Sequence, residues 1–134
     1  MSQTRLENGK RVIQKWDNVF KAVSAEPRRQ LIVSLLDVPP DQAVPLPESA
    51  INPNVPEEFK NLRQDLYHCH LPMLADSEFI EWESEPLVAY RGPQFDEVAM
   101  VFEALHSNAT EMPDSLVVGC QRLEWEQQVS SDDC

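Results

Sequence analysis

The chain has 134 residues, 42% of them hydrophobic, which suits one domain with a sizeable core and no need of disulfide staples. Its net charge of −12, from 11 basic and 23 acidic residues, favours solubility and opposes nucleic acid at low ionic strength. No apolar run is long enough to span a bilayer and "MSQTRLENGKRVIQ" is polar from the start, so no membrane partner, leader or anchor is expected, and the expected compartment is the cytoplasm.

Helix one is predicted over residues 10–24, where Val12, Ile13, Trp16, Val19, Phe20 and Val23 recur at three- and four-residue steps as an apolar face. The region is also basic. Residues 1–30 hold Arg5, Lys10, Arg11, Lys15, Lys21, Arg28 and Arg29 against three acids, a local charge of +4. "SAEPRRQ" breaks the helix, and Pro27 suits a first helical turn, where its missing N–H is harmless. Helix two runs to Asp37 and buries Leu31, Ile32, Leu35 and Leu36.

"VPPDQAVPLP" cannot propagate a helix. A short helix is predicted over residues 47–51, and "INPNVP" interrupts again. A longer helix starts near Glu57, whose carboxylate, with that of Glu58, favours the positive end of a helix dipole. Its inward stripe is Phe59, Leu62, Leu66, His70 and Leu74; its outward stripe is Lys60, Arg63, Gln64, Tyr67 and His68. Pro72 removes a backbone bond and costs about 3 kcal/mol in an unbroken helix, so a kink, or two helical pieces meeting, is predicted at residues 70–72.

From Phe79 the period changes to two. Ile80 and Trp82 alternate with Glu81 and Glu83, "SEP" turns the chain, and Leu87, Val88 and Tyr90 return it as a hairpin. "RGP" ends the hairpin, and Phe95, Val98, Ala99, Phe102, Leu105 and His106 mark a last helix over residues 94–107. Residues 1–107 thus form one domain and residues 108–134 a C-terminal extension, in which "SLVVGC" has no clear state and "EQQVSSDDC" reads as disordered.

The three cysteines, Cys69, Cys120 and Cys134, have no metal-type spacing and read as reduced thiols. His68 and His70 flank Cys69, but positions i and i+2 of a helix face different directions, so no metal site is expected and His70 reads as a packed, hydrogen-bonded residue. Phosphate loops, nucleophile elbows and zinc-protease pairs are absent from the sequence, so neither an enzyme nor a cofactor is expected. Acidic pairs such as Glu57 and Glu58 are by default a solvated face.

Helix, helix, short helix, longer helix, hairpin, helix is the order of a winged helix-turn-helix domain, mainly α with a small β-hairpin. "EPRRQLIVSLL" (26–36) resembles the acid-Pro-x-Arg helix that precedes the helix-turn-helix in arsenic-repressor-type (ArsR-like) regulators. "HLPMLADSEFIE" (70–81) resembles the stretch that ends their recognition helix and enters the wing, and "VPLPESA" (44–50) resembles their first helix-turn-helix element. The proline after "HL" and the acidic body resemble winged-helix proteins of salt-loving archaea. The resemblance covers roughly residues 16–105. It implies a homodimer paired through the first and last helices, with Trp16, Phe20, Phe95 and Phe102 contributing to core and interface.

The chain departs from that pattern. The 20 residues from Ala50 to His70 imply an enlarged turn or a lengthened recognition helix, and the metal-sensing cysteine pair is missing. Glu78 stands where the family prefers glycine; a left-handed conformation there costs about 1 kcal/mol, so a different turn is expected.

The resemblance implies a regulator of double-stranded DNA, and the outward stripe has the chemistry for it. Lys60 and Arg63 can reach guanine edges or phosphates, Gln64 can pair with adenine, Tyr67 and His68 share that face, and Arg91 is a candidate phosphate contact from the wing. Against this stand Glu78, Glu81, Glu83 and Glu85 in the hairpin region, since phosphate contacts supply much of DNA affinity. The alternative is therefore a winged-helix protein-interaction module; the basic cluster of residues 1–30 suits DNA and an acidic protein partner equally. Residues 31–134 carry four basic residues against twenty acids, a balance suited to concentrated salt, where the Debye length falls to about 3 Å at 1 M, the alternative being simply an acidic cytosolic protein.

Overall fold

The computed structural model describes residues 2–55, 58–117 and 121–132, a mainly helical fold with a small three-stranded antiparallel sheet. Helix α1 (Ser2–Ala22) starts earlier than its apolar pattern predicts and runs through Gly9, where an added Cβ would meet nothing within 4 Å. Only its last turns reach the core, through buried Val19 and Ala22 and half-buried Val23. Val12, Ile13, Trp16 and Phe20, expected on the inward face, are exposed. Val12 and Trp16 border a groove against α5 that leaves them half-covered, and Phe20 stands in solvent between buried Val19 and Ala22.

Helix α2 (Glu26–Leu36) takes Pro27 in its first turn and buries Leu31, Ile32 and Leu35 completely. The chain then forms β1 (Val44–Pro45) and a 3-10 turn at Glu48–Ala50, one residue shorter at each end than the predicted helix, with Pro47 and Ile51 as its caps. The expected start of the next helix at Glu57 lies outside the described residues. From Phe59 the chain is helical to Asp76 in three pieces: α3 (Phe59–Asp65), a π turn (Leu66–His70) and α4 (Leu71–Asp76). Two of the pieces meet between His70 and Leu71, as predicted, and Pro72 lies in the first turn of α4. The Leu71 N–H reaches five residues back to the Leu66 carbonyl, and this widened turn accommodates the proline. Leu62, Leu66 and Leu74 are buried as predicted, whereas Phe59, at the solvent end of α3, is exposed.

Strands β2 (Ile80–Ser84) and β3 (Leu87–Arg91) form the predicted hairpin, pairing Ile80 with Arg91 and Trp82 with Ala89. The sheet order is β1-β3-β2, so the proline-flanked β1 was a strand the sequence did not signal; Val44 pairs with Ala89, and Leu46 N–H donates to Leu87 O at 3.0 Å. Ahead of the hairpin, Glu78 does adopt the left-handed conformation, with φ 62°. Its carbonyl accepts from Gln94 N–H at 2.8 Å, and Gly92 N–H donates to Phe79 O at 2.9 Å. A Cβ on Gly92 would stand 2.5 Å from Glu78 O and 2.8 Å from Ile80 N, so only glycine lets these two backbone segments approach.

Helix α5 (Phe95–His106) closes the core with Phe95, Val98, Ala99 and Phe102 and exposes Leu105. Beyond it come a 3-10 turn (Ala109–Glu111), α6 (Asp114–Val117) and α7 (Gln121–Asp132). Disorder from Glu126 onward, expected from composition, is therefore replaced by helix as far as Asp132. The reason is a satellite cluster of Ala109, Val117 and Leu123, to which Gln127 adds a 2.8 Å bond to Ala109 O and Glu126 a 3.0 Å contact with His106 Nδ1. Cys120 and Cys134 lie outside the described residues. Among the described residues, no helix is long and apolar enough to cross a membrane.

Candidate nucleic-acid interface

Helix α3 and the π turn present Lys60, Arg63, Gln64 and His68 to solvent, as their spacing predicts. Tyr67 belongs to the same stripe but is half-buried, because it leans on the hairpin. Its ring meets Trp82 edge-on with centroids 5.6 Å apart, and its hydroxyl donates to Ser84 O at 3.3 Å. Arg63 lies over the outer face of that ring, 5.6 Å from its centroid, a cation–π distance. The stack Arg63–Tyr67–Trp82 joins helix to hairpin and orients one guanidinium. Trp82 could have been placed from the alternation alone, since it shares a strand face with buried Ile80.

Arg91 does not belong to this face. Its Nε and Nη2 donate to Leu35 O at 3.2 and 2.9 Å, Nη2 also reaches Val38 O at 3.0 Å, and its guanidinium lies 5.0 Å from the Phe95 ring centroid. The side chain holds the carbonyl end of α2, where a positive charge is favoured, and its expected role as a phosphate contact is corrected accordingly. Strand parity carried the signal, for Leu87, Ala89 and Arg91 share the inner face of β3. Arg91→Met, which keeps the apolar stem, is expected to cost about 2 kcal/mol of stability in urea unfolding while leaving the salt dependence of any duplex binding unchanged.

The basic cluster of residues 1–30 is also thinner than its count. Arg28 is only 6% exposed. Arg29 donates to Val23 O and pairs with Glu26, and Lys15 pairs with Glu97 of α5. Arg5, Lys10, Arg11 and Lys21 are exposed along α1. The signal for Arg28 was its place in the stripe Arg28, Leu31, Ile32, Leu35, at helical spacing.

His70 closes the inner side of the π turn. Its Nδ1 lies 2.8 Å from Arg28 Nη1, so His70 is the hydrogen-bonded residue its position predicts. Burial holds the imidazole below its usual pKa, the Arg28 guanidinium adds to that depression, and Asp65 opposes it. Among the described residues, no group of three or more His, Cys, Asp or Glu side chains is placed to hold a metal ion.

The outer face of the hairpin is acidic: Glu81, Glu83 and Glu85 are exposed. The Glu83 carboxylate beside Tyr90 raises the phenol above its usual pKa, with some burial and a 3.4 Å bond to Glu83 adding to the effect. A duplex laid on α3 would meet cations from the helix and carboxylates from the hairpin.

The other candidate surface is the flank of α1. Trp16 and Phe20 stack 5.8 Å apart in solvent, 48% and 60% exposed. Beside them a groove of about 370 Å³ runs between the two helices, lined by Val12, Trp16 and Val19 of α1 and by Met100 and Val101 of α5. Phe95 and Phe102, expected to contribute to an interface, are 2% and 5% exposed and belong to the core. The α5 side chain at this surface is instead Met100, 70% exposed. No protein-family model matches the chain, and neither a curated protein nor a solved structure matches it.

Proposed function

We propose that the protein is a dimeric, cytoplasmic winged-helix regulator of the arsenic-repressor type that binds double-stranded DNA through α3 and the π turn, without catalysis or a bound cofactor. The observation that carries this reading is the single exposed face of Lys60, Arg63, Gln64 and His68 on a helix braced against a hairpin. Guanidinium, ammonium and amide groups on one helix face match the donors and acceptors of the major groove. The pairing of β1 with β3 beside the hairpin supports the winged-helix assignment. The exposed α1 flank supports a homodimer, which suits paired half-sites.

A specific observation favours the alternative of a protein-interaction module: Glu81, Glu83 and Glu85 crowd the hairpin that would flank the duplex. Salt separates the two readings. The experiment is binding of fluorescent duplexes from the protein's own upstream region, against random duplex, up to molar potassium chloride. Sequence-dependent binding that survives salt is the expected result; no preference at any salt would favour the module. Under the DNA reading, Lys60→Ala with Arg63→Ala weakens binding about a hundredfold, as two groove contacts should, and leaves the unfolding transition in place. Unchanged binding by that double variant would remove α3 from the reading role.

A further inference from the structure

The link between Arg28 and His70 ties the end of α1 to the π turn, and its chemistry is one-sided. Arg28 Nε donates to Ala22 O at 3.0 Å, Nη2 to Lys21 O at 3.0 Å and to Ser24 Oγ at 2.8 Å, and Nη1 faces His70 Nδ1 at 2.8 Å. A guanidinium has only donors and does not lose its proton, so Nδ1 must accept and the imidazole proton sits on Nε2. A second proton has to enter at Nδ1, where it meets a donor and a positive charge. The bond is then lost.

We propose that Arg28 and His70 form a proton-sensitive latch that holds the π turn of the candidate reading helix and releases it when the imidazole takes up a second proton. Arg28 has three other bonds to the α1 end and its following loop, so it stays. His70 is the partner that moves, and it is the last residue of a turn whose geometry already departs from the regular helix. Tyr67 and His68 lie in the same turn, so release loosens the brace to Trp82 and the pose of the exposed stripe. The charged groups acting on the imidazole are Arg28 from α2 and Asp65 from α3. The α1 end presents its carbonyls to Arg28 with the Lys21 side chain in solvent, and Asp76 of α4 is exposed.

The direction follows from linkage. The fold holds His70 neutral, below the ordinary value of 6.5, so its contribution to stability is complete above pH 6.5 and is lost as pH falls through the folded value. Any consequence for DNA rests on the reading of α3 proposed above; the latch itself does not.

The test is histidine-labelled NMR on the full chain across pH 8 to 5, read together with hydrogen exchange at the Leu71 amide, whose bond to Leu66 O closes the π turn. His70→Asn serves as a second chain, keeping an acceptor for Arg28 without a titrating group. The expected result is the Nε2–H tautomer at pH 8, titration below 6.5, and a several-fold acceleration of Leu71 exchange, corrected for its intrinsic rate, that follows the His70 curve and is absent in His70→Asn. Titration at or above 6.5 would overturn the latch, as would Leu71 protection that ignores the His70 curve or an equal loss in His70→Asn. If the variant does not fold, the tautomer and the parent's paired curves still decide. Loss of Leu71 protection in a protein that binds no duplex at any pH would sustain the latch and sink the DNA reading.

Discussion

Gly92→Ala is expected to lower the unfolding free energy by about 3 kcal/mol, read from the midpoint of a urea titration at unchanged slope. The new methyl would stand 2.5, 2.8 and 2.9 Å from Glu78 O, Ile80 N and Phe79 C, all backbone atoms that cannot rotate aside. Relief would require the turn at Glu78 to swing away, breaking the 2.9 Å bond from Gly92 to Phe79 O and the 2.8 Å bond from Gln94 to Glu78 O. The junction between α4, the hairpin and α5 depends on those two bonds. Glu78→Gly acts on the same junction in the opposite direction. Glu78 is exposed and left-handed, so glycine removes a strain of about 1 kcal/mol and loses no buried contact. A Gly92→Ala chain as stable as its parent would mean that the junction tolerates a gap the geometry forbids.

That junction also shows what the sequence could and could not tell. The hairpin and α5 were legible because Ile80 and Trp82 alternate with Glu81 and Glu83 and Leu87, Val88 and Tyr90 return the chain after "SEP", while Phe95, Val98, Ala99 and Phe102 keep a helical period. Helix α2 was legible for the same reason. Strand β1 was not: two residues among prolines have no period, and only pairing with β3 makes them a strand. The π turn was hidden as well, since a stripe read at 3.6 residues passes through Leu66 to His70 without revealing an extra residue in the turn. Buried Arg28 and half-buried Arg91 were misread for a different reason. Both sit at apolar positions of their own pattern, yet their charge suggested surface. Each is kept inside by carbonyls at a helix end, which no periodicity announces. The site was legible where it needed only exposure, as for Lys60, Arg63, Gln64 and His68. It was not legible where a contact between elements decided, as for Tyr67 on Trp82.

Helix α1 poses the reverse problem, an apolar stripe with little to cover it. Trp16→Glu with Phe20→Glu is expected to convert the proposed dimer into a monomer, measured by sedimentation beside the parent chain. A two-fold axis would place both substitutions twice in one interface, and each half-exposed aromatic ring has about 1 kcal/mol left to gain from burial, so four rings contribute about 4 kcal/mol and association should weaken by roughly a thousandfold. The fold should persist, because both rings stand in solvent in the single chain. Phe102→Glu is the contrast: it buries a charge in the core and should abolish the cooperative unfolding transition itself. Charge makes a second copy a better occupant of this flank than an unrelated surface. The α1 helix brings Arg5, Lys10 and Arg11 to solvent, and α5 brings Asp96 and Glu103. Two copies related by a two-fold axis can set one helix's cations against the other's carboxylates twice over. Raising salt should therefore loosen the proposed dimer only modestly, since an apolar contact through Trp16, Phe20 and Met100 would strengthen as the ion pairs are screened. A parent that is monomeric at every salt concentration would leave α1 without its proposed partner, and paired half-sites would no longer be the expected DNA target.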